Sequence, residues 1–328
     1  LDDIRMVYSR IPAICSMMIG VSDRSDMITS ITTSVNDAIH RRIIDLALEE
    51  SPPPPCPFSF LVLGSEGRKE QTLATDQDNA IVYQPKSGKD AQDYFTRLGK
   101  IINENLDEVG ISLCKGGVMA GNAEWTMSLD DWKNRTRHWI EDGSPSDIME
   151  TSIFFDFRVV YGEAEFGDDL RRHINEVSAK NPVFFYHMAR TVGKFKPGLA
   201  GSGNVSVKEP GSDRLLTDLK KTMFPLISFL RLYTLSEHIN ATGSRERAEI
   251  LLGKEKLTKN EFLNITEAND FLMRLRLRVQ TNAIRNNQSP GNLLGIDTLS
   301  EIQLHRLKKI FSVIHELQTR VSIEFKGE

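Results

Sequence analysis

An α+β fold is predicted for this 328-residue chain by three observations. Short apolar, β-rich runs occur only between residues 58 and 162, helical periodicity dominates on both sides of them, and "SPPPPCP" at 51–57 separates the first helical stretch from the first strand. The division these imply is an N-terminal helical arm over 1–50, a mixed-sheet domain with flanking helices over 51–178 and an all-α helical bundle over 179–328.

Each element has its own warrant. Ile4, Tyr8, Ile11 and then Ile28, Ile31, Val35, Ile39, Ile43 and Leu46 recur every three or four positions, which gives an antiparallel helical arm. The proline run stops it, because consecutive prolines remove amide donors and favour extended chain. "FSFLVLG" (58–64) is fully apolar and bounded by Pro and Gly, hence a buried strand, and "NAIVYQP" (79–85) is a second one ended by Pro85. Residues 90–108 read as a helix with Tyr94, Leu98, Ile101, Ile102 and Leu106 inward. In "GISLCKGGVMAGN" glycines break up a short strand, and "DDWKNRTRHWIE" is helical with Trp132 and Trp139 on one face. "SIFFDFRVVYG" (152–162) reads as a third strand closed by Gly162. Beyond residue 165 the strand signal disappears. A Gly/Pro/Ser loop (194–213) leads into three helical segments, the last striped by Leu304, Leu307, Phe311, Ile314, Leu317 and Val321.

Composition excludes several classes. With 41 basic against 45 acidic residues the net charge is -4, so there is no general attraction to nucleic acid or to an anionic membrane. No apolar run approaches the roughly 20 residues that span a bilayer. Cys15, Cys56 and Cys114 are odd in number, widely spaced and without a CxxC or a neighbouring histidine, which argues against a disulfide framework or a zinc site and for a reducing cytoplasm. The start on Leu1, directly in a helical pattern, suggests a chain cut from something longer.

Chemistry concentrates in "LVLGSEGRKEQTLATDQDNAIVY" (61–83). In extended chain, residues two apart share a face, so Asp76 and Asp78 project together and Gln77 projects away. Paired carboxylates in a half-buried site repel unless a cation sits between them, and Mg²⁺ commonly takes one or two carboxylates plus substrate phosphates. Upstream, Gly64 permits close backbone approach, Ser65 offers a hydroxyl at a helix N-cap, and the amides after it form a phosphate seat to which Arg68 and Lys69 add charge. Neither a Walker loop nor a GxGxxG fingerprint is present. Asp156, in "FFDFR", is the candidate third acid that would allow two metals; a structural salt bridge to Arg158 or another arginine is the competing role. Arg158 shares its face and either touches a phosphate or orients the acids. The bland reading holds elsewhere: the seven histidines are scattered, and of "RLRLR" only Arg274 and Arg278 share a helix face.

"GSEGRKEQTLATDQDNAIVY" resembles the nucleotidyltransferase superfamily, in the branch containing the uridylyltransferase of the nitrogen-regulatory PII protein. Within that branch the chain is most similar to nucleotidyltransferases found downstream of paired CBS domains in bacterial signalling proteins. The resemblance extends through "LCKGGVMAGN", "FFDFRVVYG" and "DLKKTMFPLISFLRLYTL" to "FLMRLRLRVQ". It implies a polymerase-beta-like mixed sheet, with Gly64 and Ser65 at the triphosphate and Asp76, Asp78 and Asp156 as metal-binding catalytic acids. It further implies Mg²⁺ or Mn²⁺ as cofactor, a nucleoside triphosphate as donor of UMP or AMP, a regulatory protein or small molecule as acceptor, and a C-terminal helical domain that helps bind substrate. The core acids show no departure from the motif. The alternative of a different class is a nucleotide sensor that uses the same site without turnover.

Overall fold

A computed structural model describes residues 1–22, 24–85, 91–143, 152–198, 206–209, 211 and 214–325, in two compact units: Leu1–Ile11 with Thr29–Lys180, and Pro12–Ile28 with Asn181–Glu328. The arm expected over 1–50 is thus divided. Its helices are α1 (Asp2–Tyr8), α2 (Ile11–Ile19) and α3 (Ser25–Glu49), and α3 gives its first turn to one unit and the rest to the other.

The first unit is built on a mixed four-stranded sheet in the order β3-β2-β1-β4. Strand β1 (Phe58–Val62) is buried along its whole length, as its unbroken apolar run demands. It pairs antiparallel with β2 (Asn79–Tyr83), which pairs in parallel with the short β3 (Thr126–Ser128). On its other side β1 pairs antiparallel with β4 (Arg158–Gly162). One core forms where Phe60, Val62 and Ile81 of the sheet meet Ile39, Ile43 and Ala47 of α3 and Phe95, Leu98, Ile102 and Leu106 of α5 (Gln92–Val109), preceded in the chain by the one-turn α4 (Gly64–Gly67). Tyr94 and Ile101 pack against that core partly buried. Helix α6 (Leu129–Glu141) carries Trp132, whose indole donates to Ile81 O at 2.9 Å and stacks on Phe154 at 4.6 Å, with Trp125 and Trp139 around them. Helix α7 (Ala164–Ser178) completes the unit.

Two sequence expectations change here. The third strand begins at Arg158, and Phe154–Asp156 is instead a 3-10 turn. Phe154, Phe155 and Phe157 are all buried, which a strand with alternating faces at the sheet edge would not allow and a tight turn does. The "LCKGG" stretch forms turns and no strand, with Gly117 at φ +72°.

The second unit contains α8 (Pro182–Val192), α9 (Leu219–Ser236), α10 (Ser244–Gly253), α11 (Lys259–Arg285) and α12 (Glu301–Glu324). Capping boxes, Thr258 with Glu261 and Ser300 with Gln303, start its two longest helices. The stripe on α12 is buried at Leu307, Phe311, Ile314, Leu317 and Val321. Arg276 turns inward to Asn292 Oδ1 at 2.6 Å, away from Arg274 and Arg278. The half expected to be all-α also holds a three-stranded antiparallel sheet, β5 (Ser206–Lys208), β6 (Leu215–Asp218) and β7 (Leu293–Gly295). Strands of three or four residues are too short to show a period of two. Half of the 194–213 loop (residues 199–205, 210, 212 and 213) lies outside the described residues. Among the described residues no helix is long and apolar enough to cross a membrane.

Candidate functional site

Strand register gathers the predicted residues at one end of the first sheet. Val62, the last residue of β1, pairs with Asn79 at the start of β2 and with Arg158 at the start of β4. The chain leaving β1 and the segments entering β2 and β4 therefore lie together. Leu63 N donates to Asp78 O at 2.8 Å, and Gly64 N donates to Ile153 O at 3.2 Å.

Gly64 is required by backbone and by space. Its φ is +55°, and a Cβ there would stand 2.6 Å from Ile153 Cγ1 and 3.6 Å from Asp78 Oδ2. The helix it opens, α4, is a single turn whose N-cap is Leu63, so Ser65 is inside the turn and not its cap. One turn aligns few peptide dipoles, so an anion here would meet local amides more than a helix field. Ser65 is half-buried and Lys69 is exposed at φ +60°.

Asp76 and Asp78 project to one side as strand alternation requires. Their ligand atoms and Cys114 Sγ all lie within 4.8 Å of one another. On the opposite side, buried Gln77 donates to Asn103 O at 3.0 Å and Ile111 O at 2.7 Å. Asn103 Nδ2 donates to Gln77 Oε1 and Asn79 Oδ1 at 2.8 and 3.0 Å, and Ala120 N donates to Asn79 Oδ1 at 2.8 Å. This amide network holds the 111–121 segment behind and beside the acids. Burial, and after it the Asp78 charge, pushes the Cys114 thiol pKa up.

The other predicted residues point elsewhere. Asp156, 0% exposed, accepts from Arg68 Nη1 at 2.7 Å, and Arg68 Nε donates to Glu70 Oε2 at 2.8 Å. Burial opposes the Arg68 charge, but the two carboxylates outweigh it and raise its pKa. Arg158 makes a two-pronged pair with Asp37 on α3, at 2.8 Å in both bonds. Among the described residues, the group of donors suited to a metal is Asp76, Asp78 and Cys114, without Asp156.

Sequence reasoning missed Cys114, and it missed α3 as a support. Asn36 Nδ2 donates to Gln71 Oε1 at 2.7 Å, and His40 Nδ1 stands 3.3 Å from Glu66 Oε1, with both His40 and Glu66 almost fully buried. Burial raises the Glu66 pKa against the opposing charges of His40 and Arg158. No local signal announces these contacts, since each joins residues far apart in the chain. Two carboxylates and a thiol are a donor set that fits a divalent cation.

Residues 9–146 match the family model described as Putative nucleotidyltransferase DUF294, and residues 182–325 match the model described as Putative nucleotidyltransferase substrate binding domain. No curated protein matches the chain.

Proposed function

The chain belongs to the DUF294 nucleotidyltransferase family, and from that premise we propose that it transfers UMP or AMP from a nucleoside triphosphate to a hydroxyl of a protein or small-molecule acceptor, with release of pyrophosphate. The carrying observation is the convergence of the Asp76 and Asp78 carboxylates beside the Gly64 turn. These two acids would hold Mg²⁺ or Mn²⁺, which polarises the α-phosphate and steadies the leaving pyrophosphate when bound.

The chain's own residues supply the alignment. The Gly64 turn has no Cβ to keep a triphosphate away from the backbone, and Ser65 and Lys69 supply a hydroxyl and a cation near it. Asp76 or Asp78 accepts the acceptor's proton. Asp156 joins them as a third acid only by exchanging Arg68 for a metal; otherwise Asp156, through Arg68, and Arg158, through Asp37, keep the turn and the β4 entry in place. The acceptor is bound by residues 182–325, and a regulatory protein in a signalling chain with CBS domains is the acceptor we favour by similarity to the PII uridylyltransferase branch.

The Asp156–Arg68 pair also favours a second reading. A site that gathers two acids in place of three suits a nucleotide sensor that binds and does not turn over. The test is pyrophosphate release and label incorporation from each α-labelled nucleoside triphosphate, with Mg²⁺ or Mn²⁺ and cell lysate, by wild type and the Asp76→Asn/Asp78→Asn protein. Transfer by wild type alone supports the enzyme. Nucleotide binding without pyrophosphate supports the sensor, and binding that survives in the double variant overturns the site in both readings.

A further inference from the structure

We propose that the Cys114 sulfur is the third protein ligand of the ion held by Asp76 and Asp78, and that it turns the site from Mg²⁺ toward borderline divalent ions such as Zn²⁺, Fe²⁺ or Co²⁺. This rests on the reading of Asp76 and Asp78 as metal ligands.

Distance comes first. With metal–sulfur bonds of about 2.3 Å and metal–oxygen bonds of about 2.0–2.2 Å, two donors of one ion stand at most about 4.5 Å apart. Three donors around a tetrahedral ion stand about 3.5 Å apart, and the three here already lie within 4.8 Å of one another, so closing on an ion needs a contraction of at most about 1.3 Å.

The placement of the sulfur is built into the fold. Gln77 N donates to Ser112 O at 2.9 Å and Asn79 N donates to Val118 O at 3.1 Å. These bonds clamp both ends of the 112–118 segment alongside the residues that flank the two acids. Between the clamps, Gly117 N donates to Cys114 O at 3.1 Å, and the left-handed Gly117 turns the chain back. Cys114 is thereby brought to the acids from a segment some three dozen residues downstream, which is why its lack of any local ligand spacing argued against a metal role.

Ligand chemistry then decides the ion. Mg²⁺ takes oxygen donors in a near-octahedral shell, whereas thiolate sulfur is a soft donor that favours later divalent metals. A mixed oxygen and sulfur set is a poor magnesium cage and a fair site for Zn²⁺, Fe²⁺ or Co²⁺. On binding, the thiol releases its proton to solvent and the sulfur lone pair forms the bond to the metal. The competing description is a thiol that does nothing but hydrogen-bond Asp78.

Co²⁺ titration of the full chain separates the two. Wild type should develop a thiolate-to-cobalt charge-transfer band in the near ultraviolet. Cys114→Ser should bind Co²⁺ without that band and bind Zn²⁺ at least about 100-fold more weakly, since loss of even an outer-shell partner costs roughly 10–100-fold. Its preference for Zn²⁺ over Mg²⁺ should fall with it, since serine offers oxygen in place of sulfur. Cys15 and Cys56, both buried, remain in the variant, so a band that persists there comes from another sulfur and overturns the assignment. Co²⁺ binding to wild type with no band overturns it as well, while leaving the carboxylate reading intact. Binding of Mn²⁺, followed by its electron spin resonance signal, that survives in Asp76→Asn/Asp78→Asn removes the carboxylate reading itself and this inference with it. If Cys114→Ser folds poorly, Cys15→Ala/Cys56→Ala replaces it: a band kept in that protein assigns the sulfur to Cys114, and a band lost from it overturns the assignment.

Discussion

Asp156→Asn separates a structural carboxylate from a metal-binding one. Asp156 is 0% exposed and its Oδ2 accepts from Arg68 Nη1 at 2.7 Å, while the Arg68 side chain is 10% exposed. Removing one partner of a buried ion pair costs about 3–5 kcal/mol, because the remaining charge is left without compensation. Arg68 keeps its 2.8 Å bond to Glu70, and asparagine retains an acceptor oxygen, so the loss belongs near the lower end, about 3 kcal/mol. The chain's three tryptophans, Trp125, Trp132 and Trp139, all lie in the first unit and cluster around Phe154, two residues from Asp156. Their fluorescence in urea therefore reports this unit. With a slope of about 1–3 kcal/mol per molar urea, the midpoint should fall by about 1–3 M. Divalent-ion binding should persist, through Asp76 and Asp78. An unmoved midpoint with binding lost would show that Asp156 is a ligand and that the Arg68 pair contributes little.

Three further perturbations address the supports of the site. Gly67→Ala places a Cβ 1.7 Å from Asp156 O and 3.0 Å from Val62 O, so backbone must separate, and a loss of about 3 kcal/mol or more is expected by circular dichroism in urea; Gly253→Ala, with nothing within 4 Å, should be neutral or slightly stabilising. Equal midpoints for the two variants would refute the packing argument. Asn103→Ala strips partners from Gln77 Oε1 and Gly121 N in a buried network and should cost about 1–3 kcal/mol while Cys114 reacts faster with a thiol reagent; an unchanged labelling rate would mean that the network does not hold the 111–121 segment. Glu66 is raised above its ordinary 4.5 by burial, so between that value and its folded pKa the native state holds more protons than the unfolded state and stability falls as pH rises. Glu66→Gln should remove this slope, and urea midpoints of the two proteins should diverge in the variant's favour above about pH 4.5. His40, Arg158, Asp37 and Gln71 face this carboxyl, and parallel midpoint curves would show that they hold it ionised instead.

Legibility followed range. The strands at 58–62 and 79–83 were readable as unbroken apolar runs buried along their length, and the helix at 92–109 and the capped helices of the second half because burial there follows the helical period. The small sheet of the second unit was not, because its strands are too short for a period and its third strand comes some 75 residues after the second. The turn at Phe154–Asp156 was misread for a related reason: aromatic and β-branched composition resembles a strand, and only three-sided packing of Phe154, Phe155 and Phe157 reveals the turn.

The same division runs through the site. That Asp76 and Asp78 share a face, that Gln77 opposes them and that a glycine turn stands close by is written in the local chain, since alternation and φ/ψ sterics act within a few residues. What each charge meets depends on the packed fold. Arg68 closes on Asp156, Arg158 on Asp37, and the sulfur of Cys114 arrives beside the two acids. Pairing of charges depends on distances across a folded core, and those are set by strand register and long-range hydrogen bonds that no local pattern encodes.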